Sequence, residues 1–174
     1  MTMRKAIFIF IFTASAIIQL NAQDTGFKLP GIMVRNLNGD AVNTATFSNG
    51  GKPVIIDFFA TWCRPCIMEL NAIADMYDYE QKRTGVKVII ISVDSASFKS
   101  GKVAKFIRSK GWRYEVYLDS AGDFQKAMNV TDTPETYIIN GKGIVVWEHT
   151  SYLEGDENGL FEALDKVVGI SSAH

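Results

Sequence analysis

Residues 54–66 read Val-Ile-Ile-Asp-Phe-Phe-Ala-Thr-Trp-Cys-Arg-Pro-Cys, and they contain both cysteines of the 174-residue chain. The run Val54–Phe59 is apolar except for Asp57, which predicts a strand buried on both faces. Apolar side chains then recur at helical spacing, so a helix directly follows the cysteine motif. The stretch predicts a strand-to-helix turn, with Cys63 at the positive end of the helix and Cys66 one turn deeper.

A pair of cysteines at this spacing is found in redox sites, in structural zinc sites and in static disulfides. A structural zinc ion needs four ligands, and the chain offers only His149 and His174 beside the pair. A static bridge closing so small a ring removes little entropy from the unfolded chain. We therefore favour a redox pair, and we expect neither a metal nor another cofactor.

The N-terminus has the pattern of an export signal. Two basic residues precede the apolar stretch Ala6–Leu20, and the small residue Ala22 follows where signal peptidase would cut. The stretch is short and interrupted by polar residues, although a retained membrane anchor is the alternative. We expect a cleaved signal peptide over residues 1–22, a single domain over residues 23–174, and a periplasmic or otherwise extracytoplasmic location.

Composition and charge exclude one class of partner. The formal net charge is −1, and lysine and arginine are scattered along the chain. A nucleic-acid-binding protein would instead carry a basic stripe that neutralises phosphates, so no nucleic acid is expected.

Beyond the motif, strand and helix patterns alternate. This order predicts an α/β domain with a central mixed sheet and helices on both faces. The predicted elements are a hairpin of strands 32–35 and 41–43, a helix over 65–82, a strand over 86–93, a helix containing Val103, Phe106 and Ile107, a strand over 114–118, a short helix over 124–128, a hairpin of strands 136–139 and 144–148, and a last helix with Leu160, Leu164, Val167 and Val168 on its inner face.

Two motifs together resemble a known family. Asp57–Cys66, followed by Thr-Pro-Glu-Thr-Tyr-Ile-Ile-Asn-Gly-Lys-Gly over residues 133–143, is similar to the thioredoxin superfamily, and most of all to its exported thiol-disulfide oxidoreductases of the TlpA, ResA and DsbE type. The resemblance implies a thioredoxin-like fold with an N-terminal β-hairpin and an inserted helix-strand pair between Asp94 and Leu118. The chain departs from that pattern at Phe59, where many relatives have tryptophan.

A second departure follows the cysteines. Members of this group often carry proline two residues after the glutamate that follows the motif, whereas this chain has Asn71 two residues after Glu69. A helix kink at this point is therefore not predicted from the sequence.

The chemistry of the motif assigns three candidate catalytic residues. An exposed Cys63 thiolate would attack a substrate disulfide, and the more buried Cys66 would then release the substrate. Arg64 either helps to stabilise the thiolate or points into solvent. A carboxyl at Asp57 is costly to bury, so its pKa should rise and suit it to take the proton of Cys66. The alternative places Asp57 on the solvated face of an edge strand.

Three further residues are candidates for binding substrate. The resemblance implies a cis bond before Pro134, which would bring the backbone of Thr133 to the sulfurs, where an extended substrate could pair as an added strand. The alternative for Pro134 is an ordinary turn. Trp62 offers an apolar platform beside the reactive sulfur, or else packs the active-site loop. Glu135 is expected near the thiols, where its charge would oppose the thiolate.

The function expected is thiol-disulfide exchange with protein substrates. The resemblance favours a reductase kept reduced by a membrane thiol donor, with cytochrome c maturation as one candidate pathway. A disulfide oxidase or isomerase is the runner-up, and a non-catalytic thioredoxin-like binding module is a further alternative. A thiol peroxidase would need a proline and a threonine before the attacking cysteine, an arrangement that Phe59-Ala60-Thr61-Trp62 does not supply.

Overall fold

The computed structural model describes residues 26–95 and 100–170. The predicted signal peptide lies outside the described residues, as do the first residues of the predicted domain. Within the part of the chain that is described, no helix combines the length and the apolar composition needed to cross a membrane.

Strands and helices alternate along the described residues as the sequence pattern predicts. The strands are β1 (Met33–Asn36), β2 (Ala41–Asn43), β3 (Val54–Phe59), β4 (Lys87–Ser92), β5 (Glu115–Leu118), β6 (Glu135–Ile139) and β7 (Val145–Thr150). The helices are α1 (Arg64–Thr84), α2 (Ser100–Lys110), α3 (Asp123–Ala127) and α4 (Asp156–Val168), and a 3-10 turn spans Thr44–Thr46. Where both ends were predicted, the predicted bounds differ from these by at most two residues.

All of these strands form one mixed sheet in the order β2-β1-β5-β4-β3-β6-β7. The strands β5, β4 and β3 are parallel neighbours, and the remaining pairs are antiparallel. The predicted fold class is confirmed, including the N-terminal hairpin β1–β2 and the inserted pair α2–β5. Because β3 lies between β4 and β6, the edge-strand alternative for Asp57 is wrong.

Alternating residues of β3 contribute to separate cores on the two sides of the sheet. Ile56 and Phe58 pack in the core that contains α3, whereas Ile55 and Phe59 pack in the core formed with α1, α2 and α4. Successive side chains of a strand point to opposite faces, so Asp57 faces the same side as Ile55 and Phe59. The carboxyl group therefore points toward the helix that carries the cysteines.

The ends of α1 follow local signals in the sequence. Cys63 is its N-cap residue, and Gly85 ends the helix in the left-handed region at φ 72°, with its N–H bonded to the carbonyl of Gln81. The helix continues through Asn71, where relatives often have proline.

The inner face of α4 was predicted only in part. Leu160 and Leu164 are buried as expected, together with Ala163, while Val167 and Val168 are half-buried.

One close approach holds the β6–β7 turn against the loop before β3. A side chain at Gly141 would collide with the backbone carbonyl of Gly51, which cannot yield as a flexible side chain can.

We predict that Gly141→Ala lowers the free energy of unfolding by about 1–3 kcal/mol. The matched control is Gly159→Ala inside α4, where an added methyl group meets nothing within 4 Å, and it should stabilise the protein by up to about 1 kcal/mol. Urea unfolding of both variants tests this, and equal effects would contradict it.

Candidate active site

Cys63 lies where the loop after β3 enters α1. Its backbone is extended, with φ −82° and ψ 104°, and its sulfur accepts a hydrogen bond from the N–H of Cys66 at 3.2 Å. Pro65, in the first turn, has no N–H to leave unpaired. The sulfur thus occupies the position of a capping oxygen at the positive end of a 21-residue helix.

The two cysteines form a disulfide, as their spacing allows. Cys63 is 6% exposed and Cys66 is fully buried. The predicted order of accessibility is therefore correct, but the expectation that Cys63 is an exposed residue is wrong for this oxidised form.

The proline loop contacts the cysteine motif from 70 residues away in sequence. The Thr133–Pro134 bond is cis, and the carbonyl oxygen of Thr133 lies 3.5 Å from the sulfur of Cys63. Ser151 fixes the loop from its other side, because its N–H donates to the carbonyl of Pro134 at 2.8 Å. Trp62 is 74% exposed beside the disulfide. The structure therefore brings the Thr133–Pro134 loop to Cys63, and Trp62 directly precedes Cys63 in the chain.

The active-site loop is held by a carboxylate that the sequence analysis did not identify. Asp94, 3% exposed, follows β4 and accepts hydrogen bonds from the backbone N–H of Thr61 at 3.1 Å and from its hydroxyl at 2.8 Å. The hydroxyl of Ser92 donates to the same carboxylate at 2.7 Å. These bonds fix the residues just before Trp62 and Cys63 to the end of the neighbouring parallel strand.

Asp57 is completely buried beneath the motif, as predicted. Its Oδ2 accepts a hydrogen bond from the hydroxyl of Thr136 on β6 at 2.9 Å, and its Oδ1 has no partner among the described residues. Burial raises the pKa of Asp57 to about 7, and the charge of Glu135 adds to this, while the bond from Thr136 opposes it.

A second buried carboxyl, Glu69, lies on the other side of the same hydroxyl. Its Oε1 is 2.7 Å from the Thr136 hydroxyl oxygen, and the residue is 4% exposed. Burial, followed by the charge of Asp57, raises the pKa of Glu69 to about 9. Sequence reasoning assigned this residue no role, although a carboxyl one helical turn after Cys66 on an otherwise apolar face was a usable signal.

The structure also describes two other charged residues that were predicted near the sulfurs. Arg64 is exposed, which fits the solvent-facing alternative. Glu135 was expected near the thiols, but strand alternation turns its side chain to the face opposite Thr136. There it lines a cavity of about 380 Å³ together with Met128 and Tyr137. Burial raises the pKa of Glu135 at that position.

A family model supports the relationship that this geometry suggests. The model, described as the AhpC/TSA family, matches residues 22–148, which is well over half of the chain. The chain belongs to the AhpC/TSA family.

Individual members of this thioredoxin-like family are also similar to the chain. The thiol:disulfide interchange protein DsbE of Haemophilus influenzae is 33% identical over 134 residues, which cover 76% of this chain and 67% of that protein. The thiol-disulfide oxidoreductase ResA of Bacillus thuringiensis subsp. konkukian is 27% identical over 83% of this chain and 79% of its own length. The solution structure of a thioredoxin-like protein from Porphyromonas gingivalis superposes with a TM-score of 0.73 at 42% identity, covering 84% of this chain and 94% of that one.

The buried carboxyl of Asp57 predicts a specific pH dependence of stability. Its pKa rises from 3.8 to about 7 on folding, so between these values the folded state binds more protons than the unfolded state. Stability must then fall as the pH rises through this window and stay low above it. We predict that oxidised Asp57→Asn is more stable than wild type at pH 8, by on the order of 2 kcal/mol, with the difference vanishing near pH 4.

Urea unfolding of the oxidised proteins at pH 4, 6 and 8 measures this difference. The exposed Asp75→Asn variant is the control for replacing a carboxyl by an amide outside the site. A stabilisation that grows toward pH 4 would mean that folding favours the Asp57 carboxylate, contrary to this assignment.

Proposed function

We propose that this protein is an extracytoplasmic thiol-disulfide oxidoreductase that acts mainly as a reductase of protein disulfides. The observation that carries the proposal is the contact between the N-cap sulfur of Cys63 and the carbonyl of Thr133 in the cis-proline loop. The similarity to proteins named ResA and DsbE supports it.

The reaction has two exchanges, and Cys63 performs the first. The helix end and the Cys66 N–H stabilise its thiolate, which attacks one sulfur of the substrate disulfide. A mixed disulfide forms, and the other substrate sulfur leaves with the electron pair. The exposed Trp62, which precedes Cys63, and the backbone of Thr133, 3.5 Å from its sulfur, support a role for both in holding an extended substrate segment.

Cys66 performs the second exchange from inside the protein. Its thiol loses a proton to the buried carboxyl group of Asp57 and attacks the sulfur of Cys63. The bond to the substrate breaks, the substrate leaves as a thiolate, and the disulfide seen in the structure forms. The net result is two electrons transferred from the cysteine pair to the substrate.

The pattern of the N-terminus supports the location, and the similarity to ResA and DsbE supports the direction. An exported protein works where disulfides form readily, so a reductase there needs a donor that keeps its cysteines reduced. A membrane thiol carrier fits this role. Maturation of c-type cytochromes is the candidate pathway, because that process requires reduced cysteines on exported substrates.

The order of attack predicts which variant captures substrates. Cys66→Ser should accumulate mixed disulfides through Cys63, because nothing remains to release the substrate, whereas Cys63→Ser should form none. Both variants are expressed with the natural leader, and the cell-envelope proteins are compared on non-reducing and reducing gels. The double variant Cys63→Ser/Cys66→Ser is the control for non-covalent association.

The identity of the trapped proteins reports substrate and direction together. Trapped envelope proteins with cysteine pairs, including a membrane thiol carrier, support a reductase. Adducts formed by Cys63→Ser and not by Cys66→Ser would reverse the assigned order of attack.

A further inference from the structure

One hydroxyl group lies between the two buried carboxyls of the site. The Thr136 oxygen is 2.9 Å from Oδ2 of Asp57 and 2.7 Å from Oε1 of Glu69. Thr136 and Asp57 are fully buried, and Glu69 is 4% exposed. The register of the sheet sets this arrangement, because Thr136 is the residue of β6 that pairs directly with Asp57 on β3.

The number of protons in this arrangement is fixed by simple chemistry. A threonine hydroxyl carries one hydrogen and can donate it to only one carboxylate. The second short oxygen–oxygen contact then needs its own hydrogen, which only the other carboxyl can supply. With both contacts formed as hydrogen bonds, the pair of Asp57 and Glu69 holds at least one proton.

Negative charges around the pair also favour keeping a proton on it. Glu135 on β6 opposes ionisation of both Asp57 and Glu69, and Asp156 at the start of α4 opposes that of Glu69. His149 on β7 lies beside Asp156 at 3.3 Å.

Two tyrosines complete the surroundings of the pair. Tyr114, which precedes β5, is affected by the charge of Asp57, and its hydroxyl donates to the carbonyl of Leu70. Tyr152, in the loop before α4, is affected by the charge of Glu69, and its hydroxyl donates to Glu157. Burial raises the pKa of both phenols, so each stays protonated and neutral and cannot offset a negative charge on the carboxyl pair. A second negative charge on the carboxyl pair is therefore unfavourable.

Each carboxyl also has one oxygen left for a further proton. Oδ1 of Asp57 and Oε2 of Glu69 are buried and without a hydrogen-bond partner among the described residues. Glu69 follows Cys66 by three residues on α1, so the two side chains share a helix face. These two unpaired oxygens are called the open oxygens. When a proton binds to the open oxygen of one carboxyl, a proton can pass through the Thr136 hydroxyl to the other carboxyl.

We propose that Thr136 relays a proton between Asp57 and Glu69, so that the two carboxyls accept the proton of Cys66 as one unit. This inference rests on the proposed function and adds Glu69 and Thr136 to its machinery. Thr136 acts through the carboxyls and is a positioning residue.

The step balances within the mixed disulfide. The Cys66 thiol gives its proton to an open oxygen of the singly protonated pair, and its sulfur attacks Cys63. The bond between Cys63 and the substrate breaks, and the substrate sulfur takes the electron pair. The added proton then leaves the pair for that substrate thiolate or for water.

The kinetic test separates the two exchanges with the aromatic disulfide DTNB, which releases one coloured thiolate at each step. For the reduced protein, Thr136→Val should leave the first release unchanged and slow the second at least about tenfold, with an altered pH profile. Thr136→Ser keeps the hydroxyl and should restore the second release to within about threefold of wild type.

Two results would overturn the relay. One is a second release by Thr136→Val with the rate and pH profile of wild type. The other is a Thr136→Ser variant as slow as Thr136→Val, since the hydroxyl would then not be the group that matters. If wild type releases no thiolate at all, the proposed function fails. The sharing of a proton between the two carboxyls is then tested only by the infrared spectrum of the oxidised protein.

Infrared spectroscopy of the oxidised protein detects whether one of the two carboxyls is protonated, and it does not depend on thiol reactivity. At pH 8, wild type should show the carbonyl band of one buried protonated carboxyl, Glu69→Gln should remove it, and Thr136→Val should shift it. A wild-type spectrum at pH 8 with no such band would mean that both carboxyls are ionised, and the relay would be rejected.

Discussion

The hydrogen bond from the N–H of Cys66 to the sulfur of Cys63 is the interaction on which the site depends. It makes a cysteine the cap of α1 and places its sulfur where the helix offers unpaired N–H groups and positive potential. The loop before the helix is short and is tied to β4 through Thr61 and Asp94, so the sulfur has little freedom to move away. The proline loop then meets this fixed sulfur at Thr133.

The two sulfurs lie in opposite electrostatic surroundings, although they are one helical turn apart. Cys63 faces the helix end, which favours its thiolate. Cys66 is fully buried, and burial also raises the pKa of both carboxyls of the site, Asp57 and Glu69. A Cys66 thiolate would place a further buried negative charge in the same region, so the protonated thiol is favoured there. The fold thus favours the reactive thiolate at Cys63 and keeps Cys66 as a thiol until a base takes its proton.

The sequence was sufficient for those features that depend on neighbouring residues. The apolar run around Asp57 predicted a strand buried on both faces, and the structure has this strand in the middle of the sheet. Of the site residues that sequence reasoning missed, Glu69 had a local signal in its spacing from Cys66, whereas Thr136 depends on long-range register. Thr136 meets Asp57 only because β6 pairs with β3 in one specific register, and the sequence of either strand alone does not encode it. The same register turns Glu135 away from the sulfurs. Cys63 is less exposed in this oxidised form than its role suggested.

The pH dependence of alkylation of the reduced protein by iodoacetamide is the most direct test of this account. Cys63 alone should react rapidly, with a midpoint at least about one pH unit below 8.5, the pKa of an unperturbed cysteine. In Cys63→Ser, the remaining Cys66 should react slowly throughout the neutral range. A Cys63 midpoint at or above about 8.5, or faster reaction of Cys66, would contradict the claim that the helix end stabilises the Cys63 thiolate.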